Sequence, residues 1–336
     1  MIADRAALNV ALASFFDKYG NYDRERGSGP GSPGPLDNWD VSRVTDLSNL
    51  FYLQHYREVI YDYRALLSDV SWSRISDWDT SNVTKMKGTF RECSEFDQTL
   101  NWDTHNVDDM SFLFYKCDRF NNGGEPLEWD TVNVTNLAYM FYDCLTFNQP
   151  VPWVTTNVTD LTHTFDNCRM FNQPLAWDTA NVEQMVGTFI FCSRFNQPLL
   201  WNTNRVVNFT EMFLECTVFN QKLPYSATIN GVQTDTWTLT TVPTIRRLSN
   251  MFTLCAALSQ LPFTLDRLPP ITDKDDLETA LSIFEGSGIE HRFERALNTW
   301  LRTHVIIPQY EQQDAAEAAY EHDPRQRWVR PSPSAS

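Results

Sequence analysis

Apolar positions in this chain recur on a period far longer than a helical or strand repeat. Tryptophans stand at Trp78, Trp102, Trp129, Trp153, Trp177 and Trp201, at intervals of 24, 27, 24, 24 and 24 residues. The long interval carries an extra Gly123-Gly124-Glu125. Five residues after each Trp comes a valine (Val83, Val107, Val134, Val158, Val182, Val206). Eight after it comes Met86, Met110, Leu137, Leu161, Met185 or Phe209. Phe follows at twelve, Cys at fifteen and Phe again at eighteen, as in Phe189, Cys192 and Phe195. Cys93, Cys117, Cys144, Cys168, Cys192 and Cys216 therefore share one slot. Imperfect copies flank these six. Trp39, Val44, Leu47 and Phe51 open an early one, with Gln54 in the Cys slot. Ile245, Leu248, Phe252, Cys255 and Leu258 form a late one, with Thr240 in the Trp slot.

Steps of 5, 3, 4, 3 and 3 predict a short helical or 3₁₀ segment with its apolar residues on one side. Runs such as 171–177 predict a short extended piece, and Asp178-Thr179-Ala180-Asn181 a turn able to cap the next segment. No single unit buries its apolar side, so the units must stack. The expected fold is an α/β repeat solenoid of leucine-rich-repeat-like coils. Each coil has about 24 residues, with one short strand and one short helix. The expected plan begins with a capping helix at 1–20, its apolar face set by Leu8, Leu12, Phe15 and Tyr19, and a Gly/Pro-rich loop at 21–35. A first atypical repeat (36–53), an insertion (54–77) and the main array (78–260) follow. Prolines Pro262, Pro269 and Pro270 are expected to end the array. A helical region at 261–307 and a helix and tail at 308–336 complete the plan; one helix spans Asp273–Glu285, and Phe293, Leu297, Trp300 and Leu301 line the next.

Charge narrows the partners. Acidic residues number 43 against 27 basic, a net charge of −16. That sign opposes nucleic acid and anionic membrane surfaces and suits a protein partner with basic patches. No apolar run approaches the roughly 20 residues of a membrane span. Met1–Phe16, with Asp4, Arg5 and Asn9, lacks the apolar segment of a signal peptide. The expectation is reduced cysteines in an intracellular or virion-associated protein rather than a secreted one.

Candidate chemistry is sparse. The cysteine column lacks zinc-type pairing, so buried thiols filling a corner are expected, with no metal and no cofactor. The column Asp79, Asp103, Asp130 and Asp178 suggests calcium, but Val154 and Asn202 interrupt it, so turns and caps are expected. Asn82, Asn133, Asn157 and Asn208 open Asn-x-Thr sequences that also suit turns. The six histidines are dispersed, and no nucleophile elbow, phosphate loop or dinucleotide fingerprint occurs. No catalytic residue is predicted. Interaction candidates are Tyr56, Tyr61 and Tyr63 in the insertion, and Arg325, Arg327, Trp328 and Arg330 in the tail.

The unit Trp-Asp-Thr-x-Asn-Val-Thr-x-Met-x-x-x-Phe-x-x-Cys-x-x-Phe-Asn-Gln-Pro-Leu resembles the BspA-like surface-protein repeat, also called the Mycoplasma-type repeat of unknown function. The likeness is clearest from Trp78 to Leu223 and extends from Trp39 to Leu258. It implies a leucine-rich-repeat-like array with roles in surface display, adhesion or protein contacts, and it brings no catalytic residues. The family occurs in bacterial surface proteins, protists, algae and large DNA viruses. The expected function is a non-enzymatic protein–protein interaction or structural scaffold, as in a virion or cell-envelope layer. The alternatives are an adhesin or glycan-binding module, and an enzyme with a site assembled from scattered residues.

Overall fold

The computed structural model describes residues 2–20, 39–52, 72–229, 232–239 and 242–304. Helix α1 spans Arg5–Gly20. Asp4 starts it by accepting the Ala7 N–H at 2.9 Å. Leu8 and Leu12 are fully buried, and the Arg5 guanidinium donates to the carbonyls of Asp46 and Ser48. The helix is thereby fastened to the first copy.

From Trp39 onward, successive copies lie side by side. Parallel bridges link Asp46, Lys85, Asp109, Asn136, Asp160, Gln184 and Asn208, one residue per copy. Inside the copies, turns stand where a strand and a short helix were expected, except that Ile245–Leu248 of the late copy form a 3₁₀ helix. The reason is the backbone. The residues ten and fourteen after each Trp have left-handed φ, as in Tyr139 (59°) and Asp143 (59°), or His163 (51°) and Asn167 (58°). Positive φ breaks a helix and is what the third residue of a type II turn needs. The N–H groups of Met140 and Cys144 close those turns onto the carbonyls of Leu137 and Phe141. Alternate N–H groups of the segment reach the next copy, so Leu137, Tyr139, Phe141 and Asp143 donate to Asp160, Thr162, Thr164 and Asp166.

Identical side chains therefore stack. Phe114, Phe141, Phe165 and Phe189 follow one another with ring centroids 5.5–5.7 Å apart and nearly parallel planes. Tryptophans form a second column, and from Trp102 onward each Nε1–H donates to a carbonyl of an earlier copy, as Trp153 does to Leu127 at 2.8 Å. An asparagine ladder runs along another edge, where Asn148, Asn172 and Asn196 each accept the N–H of the next copy's asparagine. Copies differ in sequence yet share this frame because every repeated polar group has a repeated partner.

Two expectations need correction at the C-terminal side. The Trp slot of the late copy is held by Trp237, not Thr240. Trp237 stacks on Trp201 at 6.4 Å, is buried, and donates to the Leu199 carbonyl at 2.8 Å. An antiparallel hairpin, β1 (Ser226–Ile229) and β2 (Val232–Asp235), precedes it. Three further residues separate Trp237 from Ile245, so counting back five from Ile245 misses the Trp.

The array also continues beyond Leu258. Helix α2 (Lys274–Ser282) is capped by Asp273, whose carboxylate accepts the Asp276 N–H at 2.8 Å. It runs into a further rung. Phe284 stacks on Phe252 at 5.2 Å and 4°, and the carbonyls of Ile283 and Glu285 accept the N–H groups of Phe252 and Leu254. Gly286 then takes the left-handed position (φ 65°), and Ser287 stands where a Cys would. Helix α3 (Glu290–His304) covers this rung, with Phe293 against Phe284 at 4.4 Å. Among the described residues no helix is long and apolar enough to cross a membrane.

Candidate binding surface

The cysteine column is a hydrogen-bond ladder. Each thiol lies against the Phe carbonyl of the preceding copy, from Cys93 to Phe51 at 3.4 Å through Cys168 to Phe141 at 3.0 Å to Cys255 to Phe213 at 2.9 Å. All seven thiols are free and buried. Burial pushes each of them up, Cys255 to about 12, and the central ones further. A thiol held protonated is a poor nucleophile and a poor metal ligand.

The Asp column closes turns: the Oδ1 of Asp79, Asp103, Asp130 and Asp178 accepts the N–H two residues on. Asn82, Asn133 and Asn157 donate from Nδ2 to carbonyls of the preceding copy. Asn208 instead occupies the bridge position and is buried. Among the described residues no group of three or more His, Cys, Asp or Glu is placed to hold a metal. The proposed contact residues Tyr56, Tyr61, Tyr63, Arg325, Arg327, Trp328 and Arg330 lie outside the described residues.

The structure reveals a surface that the repeat consensus conceals. The two slots ten and thirteen residues after Trp102 and Trp129 are partly exposed, and in both copies they hold aromatic side chains. Phe112 and Tyr115 belong to one copy, Tyr139 and Tyr142 to the next, and His163 to the third. All five are partly exposed. Phe112 stacks on Tyr139 at 4.7 Å, Tyr115 on Tyr142 at 4.8 Å, and Tyr139 on His163 at 4.9 Å. The result is a strip two rings wide across two copies, extended by the single His163 ring into a third.

Its two ends differ in charge. At one end the Arg91 guanidinium lies over Tyr52 at 4.7 Å, Tyr115 at 5.0 Å and Phe112 at 5.5 Å, and Lys87 lies over Phe112 at 5.5 Å. Carboxylates crowd the other end. Asp166 accepts from the His163 ring at 2.8 Å and is itself held above the ordinary carboxyl range by burial. Burial, then Asp160 and Asp166, push the Tyr139 hydroxyl up; burial, then Asp166 and Asp143, push Tyr142 up to about 12. These two rings thus sit in a negative field. Among the described residues no Lys or Arg lies within ion-pair distance of Asp143 or Asp160. The strip was hidden because its slots hold Gly187, Glu211 and Asn250 in later copies. Its only trace in the sequence is the clustering of Phe112, Tyr115, Tyr139 and Tyr142 at two equivalent positions.

A family model described as Mycoplasma protein of unknown function, DUF285, matches residues 30–65, 62–175 and 151–262. The chain belongs to this family. No curated protein and no solved structure matches it. The DUF285 matches run from residue 30 to residue 262 and include the whole aromatic strip. The rung formed by Phe284 lies beyond them.

Proposed function

We propose that this DUF285 chain is a BspA-like repeat solenoid that serves as a non-enzymatic protein–protein interaction scaffold, and that the aromatic strip is its contact surface. The observation that carries this is the strip itself. Core aromatics such as Phe141 and Phe165 are fully buried, whereas Phe112, Tyr115, Tyr139 and Tyr142 form a contiguous surface ladder. Contiguous aromatic surface rimmed by polar groups is the usual mark of a protein contact site. Ladder geometry makes such a surface rigid, which lowers the ordering cost of binding. A place in a larger assembly, such as a virion or envelope layer, fits this reading.

The test is affinity capture from the native source with the intact chain beside a Tyr139→Ala/Tyr142→Ala variant. A stoichiometric protein partner retained by the first and lost by the second supports the reading. Capture that is indifferent to the substitutions overturns the strip as the contact surface. Glycan-array binding without a protein partner would replace the scaffold with a glycan-binding module, since stacked tyrosines also suit sugar rings.

A further inference from the structure

We propose that Lys87, Arg91 and Lys116 form a binding site for an acidic, carboxylate-bearing segment of a protein partner. The inference deepens the scaffold reading and rests on it. Stacking of copies brings the three cations together. Lys87 and Arg91 stand nine and thirteen residues after Trp78, and Lys116 fourteen after Trp102. The N–H groups of Phe90 and Glu92, on either side of Arg91, donate to the carbonyls of Leu113 and Tyr115 in the next copy. Phe112 and Tyr115 then collect the charges. Lys87 Nζ lies 5.5 Å from the Phe112 centroid, and Lys116 Nζ 5.4 Å from that of Tyr115. Arg91 lies over both rings and over Tyr52 as well, at 4.7–5.5 Å.

Ring faces hold these cations in place without neutralising them. Two carboxylates stand at the outer limit of ion-pair range: Asp109 is 4.0 Å from Lys87, and Glu92 is 3.8 Å from Arg91 Nε. Both contacts are too long for hydrogen bonds, and Asp109 already accepts the Ser111 N–H at 2.8 Å. Among the described residues Lys116 has no ion-pair partner, and the Arg91 guanidinium has no hydrogen-bond acceptor. The side chains of Lys87 and Arg91 are 51% and 32% exposed, and Lys116 is exposed, so a ligand can reach all three. A guanidinium held on three rings has its plane fixed, and a fixed fork receives a carboxylate at little ordering cost. Two ammonium groups beside it add charge without demanding one geometry. The net charge of −16 does not forbid an acidic ligand, because exposed charges beyond about 8 Å are screened at physiological ionic strength. It does select a short one, since a nucleic acid carries its charge past the patch and onto acidic surface.

The experiment uses the intact chain and two fluorescent peptides of a Gly-Ser frame, one carrying four glutamates and the other four glutamines. At about 0.15 M salt, fluorescence anisotropy is expected to show the glutamate peptide binding about tenfold more tightly. Arg91→Gln and, separately, Lys87→Gln/Lys116→Gln are each expected to weaken glutamate-peptide binding about fivefold. The lysine variant alters only exposed side chains, so it reports on the site even if Arg91→Gln disturbs the rings. Arg205→Gln removes one positive charge elsewhere on the surface and is expected to bind as the parent does. Equal affinity for the two peptides, binding indifferent to the lysine variant, or an equal loss in Arg205→Gln overturns the proposal. A captured partner that depends on Tyr139 and Tyr142, beside peptides that bind alike or not at all, would leave the contact surface standing and remove the acidic-segment site. Capture indifferent to Tyr139 and Tyr142, beside glutamate-peptide binding that the lysine variant loses, would keep this site and remove the wider strip.

Discussion

At the level of single residues, the repeat conserves partners as much as shapes. A cysteine in a 24-residue repeat invites thoughts of metal or disulfide chemistry. Here each thiol is the small donor that reaches back to a Phe carbonyl in the preceding copy, such as Cys168 to Phe141 at 3.0 Å. That carbonyl also accepts the Cys144 N–H at 2.9 Å, so deleting the thiol does not orphan it. Cys168→Ala should therefore cost only about 1–2 kcal/mol, from a lost weak hydrogen bond and a small void, read as a lower denaturation midpoint. With burial raising every thiol, the native protein should resist a thiol-specific reagent at pH 8 and react fully once unfolded. Rapid labelling of the native chain would contradict the ladder. Asp166 makes a second residue-scale prediction. Burial holds its carboxyl above the ordinary 3.8, so the folded state keeps this proton at pH values where the unfolded state has released it. Its contribution to stability therefore falls as pH rises from about 3.8 through the raised value and is flat above it. Stability measured against pH for the parent and Asp166→Asn should differ by a slope of that sign in that window.

At the level of elements, the apolar columns were legible in the sequence and their backbone was not. Steps of 3 and 4 residues suit a helix, and Val134, Leu137, Phe141, Cys144 and Phe147 do share one buried side. A succession of turns produces the same one-sidedness. Only the φ of residues such as Tyr139 and Asp143 separates the two, and the glycines that would announce it stand in that slot in only two copies, as Gly88 and Gly187. Glu215 (φ 58°) tests this directly. Glu215→Gly should be neutral or stabilising by up to about 1 kcal/mol, since glycine adopts that φ freely. Glu215→Val should cost about 1–2 kcal/mol, because a β-branched residue is strained there; in a helix the order would be reversed. The start of helix α2, in contrast, was legible: Asp273 is a standard cap residue before an acidic first turn, and the helix forms there, although it ends at Ser282 and not at the expected Glu285. The aromatic strip was illegible for the opposite reason. A consensus favours slots that agree in every copy, and a binding surface occupies slots that agree in only a few, such as Tyr139 and Tyr142.

At the level of the whole molecule, an array of this kind is close to one-dimensional, and its stability resides in the faces between neighbours. Each internal copy is covered on both sides, so the end copies need lids. Helix α1 serves at one end, through Leu8, Leu12 and Arg5. The other end is closed by chain that keeps the backbone register without the consensus: Phe284 on Phe252, Gly286 at the left-handed position, then α3 over Phe284. Nothing in the Trp–Cys spacing shows this rung, because it lacks both residues. Its importance lies in the face it covers. Phe252 is fully buried, and the N–H groups of Phe252 and Leu254 have their acceptors only in Ile283 and Glu285. Ending the chain at Leu261 should therefore expose an aromatic face and strip two N–H groups of partners, although every recognisable repeat is retained. We expect that shortened chain to melt at least about 5 °C below the parent and to bind an apolar dye in its native state. Phe284→Ala in the full chain should reproduce part of the loss, about 3 kcal/mol. If the shortened chain melts as the parent does, the repeats close on themselves at Phe252, and residues 262–304 are an appendage rather than the lid of the array.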